Sequence, residues 1–156
     1  NKPSYANDDA WAWYRVGESY YKTLNYTKAA DCFKQASLLA PFHLEIQNKF
    51  GMALLKCKRL IEAKQVFEFI RTENPKFEKV YANYGFLHSV LGNFNEALKM
   101  YETGLALNPD IAQLWLNLAA YYLHVQNIEE AKKALKQVLR IKPNHSRAQQ
   151  LLNQLK

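Results

Sequence analysis

Apolar residues recur at helical spacing along almost the whole chain, in windows that come in pairs. In one window Tyr81, Tyr84, Gly85 and His88 stand at i, i+3, i+4 and i+7, which places them on one face of a helix. Ala97, Tyr101 and Gly104 line one face of the window that follows, and Pro109 ends it, because proline removes a backbone donor and clashes with the preceding turn. Gly92-Asn93 separates the two windows, and glycine there can take the left-handed conformation that closes a helix. The pattern predicts a helix hairpin.

A step of 34 residues reproduces this hairpin in both directions. The prolines fall at Pro41, Pro75, Pro109 and Pro143. The second-window alanines fall at Ala29, Ala63, Ala97 and Ala131, and the first-window small residues at Gly17, Gly51, Gly85 and Ala119. Three columns repeating four times at one period predict eight antiparallel helices in four pairs, over 10–43, 44–77, 78–111 and 112–145. Two helices can cross closely only where the contact carries Gly or Ala, with aromatics filling the space on either side. In the second repeat Gln47 stands where the first helix elsewhere carries a large aromatic, which is expected to loosen one packing contact; in the fourth, Leu135 replaces the second-helix aromatic.

The ends differ from the repeats. Ala148, Leu151, Leu152 and Leu155 share one face of residues 146–156, and Arg147, Gln150, Asn153, Gln154 and Lys156 cover the other, as expected of a C-terminal capping helix. Residues 1–9 are polar and without helical period, and Asp8 and Asp9 are placed to cap the first helix. The chain opens without Met, which reads as a fragment or a processed product. Trp11, Trp13 and Tyr14 leave the N-terminal face without a polar cap, so it is a candidate for self-association.

These columns resemble the tetratricopeptide repeat over residues 10–143. The resemblance implies an all-α fold, a right-handed superhelical solenoid of antiparallel helix pairs, and a non-enzymatic protein-interaction module that holds a peptide or an amphipathic helix of a partner protein in a concave groove. Carried over by register, the groove is lined by Trp11, Tyr14, Glu18, Tyr21 and Lys22 in the first repeat. It continues through Glu45, Asn48, Met52, Leu55 and Lys56, and then Lys79, Phe86, Ser89 and Val90, with Lys49 and Asn83 at its edge. Leu116, Asn117, Ala120, Leu123 and His124 complete it, with Gln113 and Ala82 also in register. The lining is rich in aromatic and aliphatic side chains, which suits apolar anchors, with Phe86 and Leu55 as the central ones; Asn83 and Asn117 can hold an extended backbone. The clamp by which chaperone-binding members of the family hold C-terminal carboxylates is not matched: Tyr14 and Glu18 stand where it needs Lys and Asn, Asn48 with Met52 fails in the next register, and Lys79 with Asn83 matches in part.

Composition and charge adjust this picture little. Apolar residues make up 49% of the chain, as in a folded protein, and no apolar run reaches the roughly 18 residues of a membrane span. The net charge of +7 is concentrated toward the C-terminus, in Lys132, Lys133, Lys136, Arg140 and Lys142. No base-stacking aromatics interleave with them, so a basic RNA- or DNA-binding repeat is the lesser alternative, beside a homo-oligomerising assembly module. Cys32 and Cys57 have no metal-ligand spacing and read as free thiols of a reducing compartment, which favours the cytoplasm. Asn25-Tyr26-Thr27 and Asn144-His145-Ser146 match the glycosylation acceptor pattern. His88 falls in a packing column, His43 and His145 in loops, and His124 on the concave side. No nucleophile–base pair, phosphate loop or metal cluster emerges, so no catalytic residue, cofactor or metal is expected.

Overall fold

A computed structural model describes the backbone of residues 4–156 and the side chains from residue 8 onward. The described residues form nine helices and no strand: α1 (Ser4–Lys22), α2 (Tyr26–Leu39), α3 (Leu44–Lys56), α4 (Leu60–Glu73), α5 (Lys79–Val90), α6 (Phe94–Leu107), α7 (Ala112–His124), α8 (Ile128–Ile141) and α9 (Ser146–Gln154). The chain divides into two compact units, residues 1–83 and 84–156, with the boundary inside α5.

Within each hairpin the first helix ends the same way. Leu24, Lys58, Gly92 and Gln126, again 34 residues apart, have φ of 66°, 64°, 81° and 62°. The next residue in each case donates its N–H to a carbonyl one turn or more back in the preceding helix: Asn25 to Tyr20 O at 2.9 Å, Arg59 to Leu54 O at 2.9 Å, Asn93 to His88 O at 2.8 Å and Asn127 to Tyr122 O at 2.8 Å. This closing geometry favours glycine, yet only one of the four turns has it; the other three hold a side chain in a left-handed backbone. Two of these donor residues also cap the second helices with their side chains. Asn25 Oδ1 accepts from Lys28 N, and Asn127 Oδ1 from Glu130 N, both at 3.3 Å. Arg59 instead grips Glu62 with two parallel bonds of 2.9 and 2.7 Å, which holds a carboxylate in the first turn of α4, where the helix dipole favours it.

A column that the apolar pattern does not reveal joins successive hairpins. Gln47 Nε2 donates to Pro41 O at 2.8 Å, Tyr81 Oη to Pro75 O at 2.5 Å, Trp115 Nε1 to Pro109 O at 2.7 Å, and Gln149 Nε2 to Pro143 O at 2.9 Å. The expectation that Gln47 loosens the packing is therefore corrected: at this position the chain needs a side-chain donor six residues beyond the proline, and an amide serves as well as a phenol or an indole. Gln149 extends the column into α9. The expectation for Asp8 and Asp9 is corrected too, because both lie inside α1 and do not precede it.

The small-residue column meets aromatic rings. A methyl group placed at Gly17, Gly51 or Gly85 would come within 2.7, 2.4 and 2.4 Å of the rings of Phe33, Phe67 and Tyr101. Where Leu135 replaces the ring, Ala119 replaces glycine, and both are fully buried. In the unit of residues 84–156, Ala119, Ala134, Leu135, Val138 and Ala148 form a core against which Leu151, Leu152 and Leu155 of α9 pack. In the unit of residues 1–83, Ala10, Ala36 and Ile46 form a core joined by Trp11 and Tyr14.

Candidate functional site

In the unit of residues 1–83 the expected groove positions largely satisfy one another. Glu18 pairs with Lys49 at 3.9 Å and Glu45 with Lys79 at 2.9 Å. Asn83 Nδ2 donates to Asn48 Oδ1 at 3.2 Å, and Asn48 Nδ2 approaches Met52 Sδ at 4.0 Å. Each of the three cross-helix pairs links neighbouring first helices, so the polar groups form a ladder between hairpins.

The rings of this unit are engaged as well. Trp11 meets Tyr14 and His43 edge-on, with centroids 5.1 and 4.8 Å away, and Tyr14 tilts against Phe33 at 5.6 Å. Tyr21 packs against Tyr26 at 5.1 Å, with Lys49 5.8 Å from the Tyr21 ring and Lys56 6.0 Å from the Tyr26 ring. Burial, then the carboxylates of Glu18 and Glu45, push the Tyr14 phenol up to about 12; burial and Tyr26 raise that of Tyr21. Leu55 is 8% exposed and belongs to the core, which removes it as an anchor. Lys22, Lys56 and Lys79 are exposed, but Lys79 spends its charge on Glu45.

The unit of residues 84–156 is different. Phe86, Ser89 and Val90 of α5, Phe94 and Tyr101 of α6, and Asn117, Ala120, Tyr121 and His124 of α7 enclose a hollow of about 250 Å³. Phe86 is 42% and Val90 50% exposed, so apolar surface is left uncovered beside the hollow. His124 stacks on Phe94 with centroids 4.0 Å apart and forms one wall. Tyr101 is buried and its phenol is pushed up to about 12 by that burial, with the nearby Ser89 hydroxyl acting in the opposite direction. The hydroxyl of Ser89 donates to Phe86 O, and Asn117 Oδ1 accepts from Gln113 Nε2 at 2.7 Å. The arrangement can seat one bulky apolar side chain, with amide and hydroxyl groups at its edge.

Register had placed Phe86, Ser89, Val90, Asn117, Ala120 and His124 at this site, and the structure brings them together. Leu116 and Leu123 are half-buried and do not line the hollow. Phe94, Tyr101 and Tyr121 line it without having been expected. Tyr101 was legible only as a packing residue, and nothing in the apolar columns singled out Phe94 or Tyr121. Phe94 reaches the hollow from the start of α6, Tyr101 from the middle of α6 and Tyr121 from α7.

Elsewhere the chemistry is muted. Of the C-terminal basic cluster, Lys132 pairs with Glu129 at 3.7 Å, Lys133 with Glu130 at 3.0 Å, and Arg140 with Asp110 at 3.1 Å. Such exposed pairs add little stability, but they break up the positive field that a phosphate track requires. His88 is buried and stacks on Tyr84 at 4.6 Å, and His145 Nδ1 accepts from Ala148 N at the start of α9. Cys32 is buried, Cys57 half-buried, and both are free thiols. Among the described residues no group of three or more His, Cys, Asp or Glu is placed to hold a metal, and no helix is long and apolar enough to cross a membrane.

Comparison with known proteins gives a consistent result. Two family models, each described as "Tetratricopeptide repeat", match residues 10–43 and 90–155. The chain is 30% identical to human protein O-mannosyl-transferase TMTC3 over 158 aligned positions, covering 90% of this chain and 17% of that protein. In fold it is similar to TTC0263, a thermophilic TPR protein of Thermus thermophilus, with a TM-score of 0.86 at 20% identity over 94% of this chain and 80% of that one. YrrB, described as a TPR protein with an unusual peptide-binding site, is similar with a TM-score of 0.71 at 22% identity over 92% and 74% of the two chains.

Proposed function

The chain belongs to the tetratricopeptide repeat family, and from that premise we propose that it is a non-enzymatic interaction module that seats an apolar side chain of a partner peptide or amphipathic helix in the hollow of α5, α6 and α7. The observation that carries this reading is the contrast between the half-exposed Phe86 and Val90 beside an aromatic hollow and the internally paired side chains of residues 1–83. Interfaces draw most of their energy from a few central apolar anchors in desolvated pockets. Asn117 and Ser89 at the edge supply the polar contacts that orient such a ligand. No transferase role is part of the reading: activity is argued from a site, and the groups gathered here are rings, an amide and hydroxyls, the Tyr101 phenol held protonated by burial.

The test is selection of linear peptides from a random library on the whole chain, followed by titration of the selected peptides. Winners should share a large aliphatic or aromatic residue, and Phe86→Ala should weaken them by about 1 to 3 kcal/mol with an unchanged melting temperature. Affinity indifferent to Phe86→Ala, or a parallel loss of affinity and melting temperature, refutes the reading.

A further inference from the structure

The hollow of α5, α6 and α7 is large for an aliphatic anchor. A cavity of about 150 Å³ is filled by benzene, so the nine ring atoms of an indole ask for roughly 225 Å³ and the four carbons of a leucine side chain for roughly 100 Å³. At about 250 Å³ the hollow around Phe86 matches the indole. Leucine or valine would leave more than half of it without contact, and an unfilled gap forfeits the dispersion that a close fit supplies. Phenylalanine falls between the two.

Its walls suit a ring. Phe86, Phe94, Tyr101, Tyr121 and His124 bring five aromatic side chains to it from three helices. Phe94 and His124 lie face to face, with 4.0 Å between centroids and 22° between planes, and so form a single flat-sided wall. Aromatic neighbours favour an aromatic guest, in edge-on or offset contact, beyond what buried area alone provides. None of the described residues lining the hollow is a carboxylate, so the head of a lysine or an arginine would give up water there without a counter-charge.

A buried indole makes one demand that a phenyl or aliphatic anchor does not, because its N–H needs an acceptor. Ser89, at the edge of the hollow, is placed to meet it. Its hydroxyl proton is spent on Phe86 O at 2.7 Å, which leaves the oxygen only lone pairs to offer. Even with the neighbouring Tyr101 phenol drawing on one of the two, the other remains for an indole N–H. Building on the proposed peptide site, we infer that the anchor it seats is a tryptophan of the partner, with its indole against the Phe94–His124 pair and its Nε1–H donated to Ser89 Oγ. The ligand is thereby narrowed from any large apolar side chain to a bicyclic one that carries a donor.

The probes are the N-acetyl amides of tryptophan, 1-methyltryptophan, phenylalanine and leucine, titrated into the whole chain with the ring resonances of Phe94 and His124 as the readout. Tryptophan amide should bind about tenfold tighter than leucine amide, with phenylalanine amide between them. Methylation of the indole nitrogen removes the donor and should weaken binding about fivefold, the worth of one neutral hydrogen bond. Ser89→Ala should bring tryptophan amide down to the level of its methyl analogue. The methyl comparison is made in the unaltered chain, so it stands whatever a substitution does to the fold. Tryptophan and leucine amides of equal strength overturn the inference, as do equal tryptophan and 1-methyltryptophan amides, or Phe94 and His124 resonances that tryptophan amide does not move. Peptides selected from the random library separate this inference from the reading beneath it. Tryptophan at the position whose binding Phe86→Ala weakens supports both. Leucine or valine there overturns the inference and leaves the peptide site standing, whereas peptides indifferent to Phe86→Ala overturn both.

Discussion

At Gly51 an added methyl group would lie 2.4 Å from the Phe67 ring, inside any tolerable contact, and the ring is fully buried. Gly51→Ala would gain about 1 kcal/mol of helix propensity but overpack the crossing by about 1 to 3 kcal/mol, so a net loss of up to about 2 kcal/mol is expected in urea melts. The fourth hairpin indicates the remedy. It pairs Ala119 with Leu135, so Phe67→Leu should absorb much of the cost of Gly51→Ala, and the double-mutant cycle should show coupling of about 1 kcal/mol. Additive single effects would mean that the ring is not what glycine accommodates. The column at Gln47 makes a similar point, since Gln47→Leu would strand the Pro41 carbonyl where Gln47→Tyr would keep a donor.

At the scale of elements, the four hairpin turns are one structure written with four different residues. Leu24 is 70% exposed and holds φ at 66°, so its side chain contributes little while its backbone bears the left-handed strain. Leu24→Gly should therefore stabilise by about 0.5 to 1 kcal/mol, the strain relieved exceeding the entropy that glycine adds to the unfolded chain. Gly92→Ala should do the reverse by about 1 kcal/mol, although nothing lies within 4 Å of the added carbon, because the cost is in the backbone alone. Thermal melts of the two variants moving in the same direction would refute the account. The helices themselves were legible from period and punctuation. Their starts were less so: the polar composition around Asp8 and Asp9 suggested a cap, but those residues carry no helix breaker, and α1 runs through them.

For the molecule as a whole, burial of tyrosine sets an alkaline limit. The Tyr101 phenol has its pKa raised from 10.0 to about 12 in the folded state, so the unfolded chain loses that proton first as pH rises. Its contribution is constant below pH 10 and is lost as pH climbs from about 10 to about 12. Tyr101→Phe should accordingly make urea stability fall less steeply over that interval than in the parent, and equal slopes would show that the phenol is not protected in the folded chain. Of the candidate site, the first-helix half was legible because register alone assigns Phe86, Val90, Asn117 and His124 to one side. The rest was not, because Phe94 and Tyr101 come from the second helix α6, to which the groove register assigns no position, and Tyr121 comes from a position of α7 outside that register.

What the sequence alone determined was the repeating hairpin. A 34-residue period in small, aromatic and proline positions leaves local chemistry few alternatives, since crossing distance, helix end and turn are each decided by residues close together in the chain. What only the tertiary structure decided was which of the repeated positions remain available. Lys79 is neutralised by Glu45 and Asn83 is hydrogen-bonded to Asn48, partners 34 and 35 residues away, and Leu55 is sealed in the core while Phe86 stays half-exposed. Val16 is open where Phe50 is closed. Equivalent residues in a repeat share a register but not a neighbourhood, and burial and pairing depend on the helix that happens to lie across from them.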